Sequence, residues 1–111
     1  MRRGEILRLR LPRSRSGHEQ RGARYCVVLQ AGDLLALSTV IVAPTSTGAQ
    51  PASFRPEITV KGSKTRVLVD QLTAVDGARL GSSAGAVSLD ELRELDASLE
   101  VVLGLGRGSG R

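Results

Sequence analysis

Apolar and polar positions alternate from the start of the chain. In EILRLRL (residues 5–11), Leu7, Leu9 and Leu11 fall on one face and Arg8 and Arg10 on the other. A period of two is that of a half-buried strand, and Pro12, which has no amide hydrogen to give to a ladder, stops it. Residues 13–24 are a polar, glycine-flanked connection. YCVVLQ (25–30) then predicts a buried strand, an AGD turn comes next, and residues 34–37 suit more than one conformation. STVIVAP (38–44) is the strongest β run, because β-branched side chains pack well on a pleated surface. TSTGAQPASFRP (45–56) predicts a long loop, and EITV, the turn KGSK and TRVLVDQL predict a hairpin. TAVDGARLGSSAG (73–85) shows no period and reads as irregular or as a short turn of helix. In SLDELRELDASLEVVLG, Leu89, Leu92, Leu95, Leu99, Val102 and Leu103 recur at steps of three and four, which predicts an amphipathic helix. Ser88 with Glu91 forms a capping box at its start, and Gly104 ends it. Five or more short strands followed by one helix predict a mainly β (α+β) domain, a small curled sheet or barrel plugged by its C-terminal helix.

Composition adds limits. A chain of 111 residues with 41% hydrophobic residues builds one core. The single cysteine excludes an internal disulfide framework and a cysteine-based zinc cage. No apolar stretch follows the N-terminal Met-Arg-Arg-Gly-Glu, and none elsewhere is long enough to span a bilayer, so the expected location is cytoplasmic, with no membrane partner. The net charge of +5 changes the picture most. Residues 1–24 hold eight arginines against Glu5 and Glu19, and the rest of the chain is close to neutral. An all-arginine excess suits phosphate, whose oxygens match the planar guanidinium fork, although a solvated basic arm has the same composition.

The stretch GHEQRGARYCVVLQ (17–30) concentrates candidate chemistry. Arg24 enters the buried strand, where it is either a rigidly held donor fork for a phosphate or an arginine snorkelling at a strand end. Glu19 can pair with Arg24, serve as a base, or be a surface turn carboxylate. Thr45, Ser46 and Thr47 follow the second buried strand, and their hydroxyls can bond a phosphate or ribose or simply cap the turn. If the two strands are adjacent, Arg24 and this hydroxyl cluster meet in one cleft. His18 is the only histidine, so a two-histidine acid–base pair is excluded; it is a ligand contact or an idle surface residue. Cys26 reads as a small packed hydrophobe. Asp70-Gln71 reads as a satisfied pair at a strand end. Tyr25 and Phe54 are the only aromatics, so RNA bound here cannot rely on a stacking platform.

RRGEI, GHEQRGARYCVV, STVIVAPTST, VDQL and the final leucine-rich helix occur in the order seen in the MazF/PemK toxin family, which the chain resembles from Arg3 to about Leu105. It looks especially similar to actinobacterial members. The resemblance implies an SH3-like barrel of the CcdB/PemK type over residues 1–104, followed by a flexible Gly/Arg tail over 105–111. It implies a homodimeric toxin of a type II toxin–antitoxin system: a sequence-specific endoribonuclease that cleaves single-stranded RNA (messenger RNA, with ribosomal or transfer RNA as alternatives) with no metal or cofactor. Family roles fall on Arg24 and Glu19 and on a catalytic hydroxyl at Ser46 or Thr47. His18, Gln20, Arg21, Thr45, Gln71, Arg13 and Arg15 fall to RNA binding. Two departures from the family pattern are Leu7, where an aromatic is usual, and Tyr25, where proline is frequent.

The residues themselves fit such a reaction. Metal-free RNA cleavage uses the ribose 2′-hydroxyl as nucleophile on its own 3′-phosphate and needs a base, a cation for the phosphorane and an acid for the leaving oxygen. A CcdB-like gyrase poison without catalysis and a non-catalytic RNA-binding module are the rival readings. The resemblance also implies a cognate antitoxin. An acidic disordered segment is the expected inhibitor of an arginine-rich cleft, folding as it binds.

Overall fold

The computed structural model describes residues 1–10 and 24–105. The expected end of the first strand at Leu11 and Pro12, the polar connection and the last residues of the Gly/Arg tail lie outside the described residues. Among the described residues seven strands precede one α-helix: β1 (Glu5–Leu9), β2 (Tyr25–Val28), β3 (Thr39–Ser46), β4 (Glu57–Val60), β5 (Ser63–Val67), β6 (Thr73–Asp76), β7 (Leu80–Ala86) and α1 (Leu89–Leu103). All pairings are antiparallel. The sheet runs β4-β5-β3-β2-β1-β7, and β6 also lies along β3. The result is a curled half-barrel with a C-terminal helix.

Both faces of β2 are buried, which is why YCVVLQ reads as a continuous apolar run. Leu7 and Leu9 of β1, Cys26 and Val28 of β2, Val40 and Val42 of β3 and Val75 of β6 form one core. Ile6, Val27, Ala43, Ile58, Val60 and Val67 form a second core on the other face, which Leu95 of α1 seals with Leu92, Leu99 and Val102 around it. The helix packs into the second of these cores through the fully buried Leu95, and the first core contains no helix residue.

α1 follows its sequence closely. The Ser88 hydroxyl accepts from the Glu91 amide, the Glu91 carboxylate accepts from the Ser88 amide, and Gly104 ends the helix at φ 69°. The expected apolar stripe is too long at both ends, since Leu89 and Leu103 are exposed. Residues 73–85 depart further from expectation. The expected short turn of helix is present as a 3₁₀ turn at Gly77–Arg79, but the residues on either side of it are not irregular and form β6 and β7. Residues 32–34 form another 3₁₀ turn. It is pinned by the buried Gln30, whose amide donates to the carbonyls of Leu34 and Thr39 and accepts from the Ile41 amide.

Two backbone features fix the ends of the central strands. β3 pairs with β6 over Thr39–Val42 and with β5 over Thr45–Ser46. Pro44, which has no amide hydrogen, sits at the change of partner, and its carbonyl accepts from the Leu68 amide at 2.8 Å. Near the N-terminus, Gly4 takes φ 88°. The neighbouring Arg3 donates from Nε to the Leu29 carbonyl at 2.8 Å and pairs through Nη2 with Asp96 of α1 at 2.7 Å, tying the end of β2 to the helix.

Candidate functional site

The β2–β3 pairing decides where the candidate residues go. Cys26 lies opposite Pro44, so continuing the register brings Tyr25 opposite Thr45 and Arg24 opposite Ser46. The first of these contacts is a hydrogen bond: Thr45 Oγ1 donates to the Tyr25 carbonyl at 3.1 Å. The Arg24 carbonyl accepts from the Leu9 amide at 2.9 Å, which fixes the residue on the β1 side as well. Arg24 and Tyr25, with Thr45, Ser46 and Thr47, line one side of a cavity of about 400 Å³. The other side is the β4–β5 hairpin, with Val60, Lys61, Ser63 and Thr65. The two strand ends meet in one cleft, as adjacency of the strands predicts.

The cleft is cationic and rich in hydroxyls. Arg24 and Lys61 supply the charge, and no Asp or Glu lines it among the described residues. Thr45 is buried and its hydroxyl proton is committed to the Tyr25 carbonyl, so Ser46, half-buried, and Thr47, exposed, are the more available hydroxyls. Such a set can hold phosphate oxygens and offset charge that develops on them.

Other sequence candidates fall elsewhere. Gln71 is exposed on a 3₁₀ turn, Val69–Gln71, and does not line the cleft. Its neighbour Asp70 is satisfied by Arg55, not by Gln71: Nε and Nη2 donate to the two carboxylate oxygens at 3.0 and 2.9 Å. Hydrogen bonds from that guanidinium hold the Asp70 carboxyl below its ordinary range. Arg13, Arg15, His18, Glu19, Gln20 and Arg21 lie outside the described residues. Cys26 is fully buried in the first core, and burial pushes its thiol up to about 11, which makes it a packed hydrophobe and not a nucleophile. Among the described residues no three His, Cys, Asp or Glu side chains gather into a metal-ligating group.

Lys61, Ser63, Thr65 and Tyr25 are the cleft residues that pattern reading passes over as site candidates. Tyr25, the one aromatic residue that lines the cleft, also packs against the core of Ile6, Val27 and Leu95, and one aromatic does not make a stacking platform. The sequence signal for Lys61 is slight: a basic residue followed by glycine at the tip of a hairpin.

Three comparisons with known proteins bear on this arrangement. The sequence profile of PemK-like, MazF-like toxins of type II toxin–antitoxin systems matches residues 2–103. The toxin candidate Rv3098A of Mycobacterium tuberculosis is 41% identical over 104 residues, covering 93% of this chain and 97% of that protein. Among solved structures, an endoribonuclease in complex with its cognate antitoxin, from a mycobacterial species, has a TM-score of 0.78 at 16% identity over 96% of this chain and 98% of its own. The Mycobacterium tuberculosis toxin MazF-mt6 has a TM-score of 0.76 at 17% identity, covering 93% and 99%. MazF from Deinococcus radiodurans has 0.75 at 23% identity, covering 94% and 96%. At these identities the structural likeness speaks to the fold alone, and that fold is the curled sheet with a C-terminal helix.

Proposed function

Because the chain belongs to the PemK-like, MazF-like toxins of type II toxin–antitoxin systems, we propose that it is a metal-independent, sequence-specific endoribonuclease of single-stranded RNA. The observation that carries this reading is the convergence of Arg24 with the Ser46–Thr47 hydroxyls in one cationic cleft.

The reaction is an internal transphosphorylation. The ribose 2′-oxygen loses its proton to a base and bonds to the adjacent phosphorus. The bond from phosphorus to the 5′-oxygen breaks, and that oxygen gains a proton. A 2′,3′-cyclic phosphate and a 5′-hydroxyl result. In this scheme Arg24 offsets the charge of the phosphorane, and a hydroxyl from the β3 end holds one of its oxygens. The register supports Ser46, opposite Arg24, over Thr47. Glu19 is the base of the scheme, and His18, Gln20, Arg21, Arg13 and Arg15 are assigned to RNA binding. The reading extends to a homodimer and to an antitoxin whose acidic disordered segment occupies the cleft in place of RNA.

The test is to incubate the purified chain with a long single-stranded RNA in EDTA, alongside the same sequence with every 2′-hydroxyl methylated. Fragments ending in 2′,3′-cyclic phosphate from the first and none from the second are expected. Cleavage of the methylated strand, or no cleavage of either with gyrase inhibited instead, overturns the reading.

A further inference from the structure

The β4–β5 hairpin turns in two residues, since Val60 pairs with Ser63. Both turn residues lie at positive φ, Lys61 at 50° and Gly62 at 82°. This is the backbone of a type I′ turn, whose central positions ordinarily hold asparagine, aspartate or glycine because a larger side chain is crowded there. Gly62 is the usual choice for its place. Lys61 is not, and it is the one non-glycine residue at positive φ among the described residues. A disfavoured conformation persists only where its surroundings impose it, and such positions cluster where ligands bind.

Location and charge point the same way. Lys61 is exposed and lines the cleft opposite Arg24 and Ser46. On the same hairpin Lys64 faces Glu57 at 3.7 Å, whereas Lys61 has no carboxylate partner among the described residues. A turn that would be more stable with asparagine thus keeps a cation, unneutralised, at the edge of a cleft suited to phosphate.

We propose that Lys61 is a substrate-binding residue whose ammonium holds an RNA backbone phosphate other than the scissile one, which Arg24 serves. A compact ammonium on a flexible stem suits this task, because a flanking phosphate needs charge more than bidentate geometry. The proposal rests on the ribonuclease reading above.

Lys61→Asn removes the charge and suits the turn, Lys61→Gly is a second charge-free variant, and Lys61→Arg keeps the charge. Binding of a 2′-O-methylated single-stranded RNA is measured across a salt series, with thermal unfolding and steady-state cleavage of the unmethylated RNA in parallel. Lys61→Asn and Lys61→Gly are expected to unfold at or a few degrees above the wild-type temperature. At low salt they are expected to bind roughly 10-fold more weakly, with a log–log salt slope shallower by about 0.7. The loss falls on KM more than on kcat, and Lys61→Arg restores most of it. Charge-free variants with wild-type affinity and slope, in a protein that still cleaves RNA, overturn the Lys61 proposal and leave the ribonuclease reading standing. A wild-type protein that neither binds nor cleaves the RNA overturns both.

Discussion

Arg3 and Arg24 belong to the same basic stretch and do different work. Arg3 is half-buried, with its guanidinium divided between a backbone carbonyl of the β2 end and Asp96 of α1. Arg24 has no carboxylate partner among the described residues and lines the cleft. The arginine excess is plain in the sequence, but its division between clamp and site depends on which side chains the fold brings near, and composition carries no such information. Cys26 is the opposite case. Its place inside an apolar run is enough to read it as core. Burial raises its thiol to about 11, so the folded state holds the proton that the unfolded chain gives up near pH 9. Stability is therefore fully present below about pH 9 and falls as pH rises towards 11, by about 2 kcal/mol at pH 11 on the scale of 1.4 kcal/mol per pKa unit. Urea unfolding from pH 8.5 to 11 should show a steeper loss for wild type than for Cys26→Ala. Parallel curves would contradict it.

At the scale of elements, legibility follows how local the stabilising interactions are. α1 is legible because its cap, stripe and stop all lie within its own sequence. β7 is not: LGSSAGA has little apolar content and no alternation, and it is a strand because β1 supplies a partner across irregular register. β3 runs past its expected end for a related reason. Thr45 and Ser46 look like loop residues, yet β5 crosses to pair with them, and that crossing also brings the Lys61 hairpin to the cleft. Strand placement makes a prediction about the two candidate hydroxyls. Ser46 is held in the ladder opposite Arg66 and, by register, Arg24, whereas Thr47 lies one residue past the strand. Ser46→Ala should therefore reduce kcat more than Thr47→Ala, by roughly 10-fold or more for a lost charge-stabilising donor. Single-turnover cleavage by the two variants checks this, and a larger loss at Thr47 would reverse the assignment.

At the scale of the whole molecule, apolar surface stays uncovered among the described residues. The sequence suggests residues 8–11 and the neighbouring loops as dimer contacts; Leu9 is buried, Arg8 and Arg10 are exposed, and Leu11 and the loop after it lie outside the described residues. Exposed side chains gather instead where the 31–38 segment, β3 and the end of α1 meet. Leu34, Leu37, Ile41 and Leu103 rim a groove of about 470 Å³ there. A two-fold axis buries the same patch on both copies, so an apolar patch meets its own kind. The proposed homodimer is predicted to use this face. Sedimentation at micromolar concentration should show a dimer for wild type and a folded monomer for Ile41→Glu. A wild-type monomer, or an undisturbed dimer in the variant, would contradict it.

The central claim is that Arg24 is the fixed cation of a ribonuclease cleft, and its turnover in a folded variant tests that most directly. Arg24→Ala, compared with wild type on one single-stranded RNA in EDTA, should retain the wild-type unfolding temperature within a few degrees and lose about 100-fold to 1,000-fold in kcat. A folded Arg24→Ala protein that cleaves at close to the wild-type rate would contradict the claim.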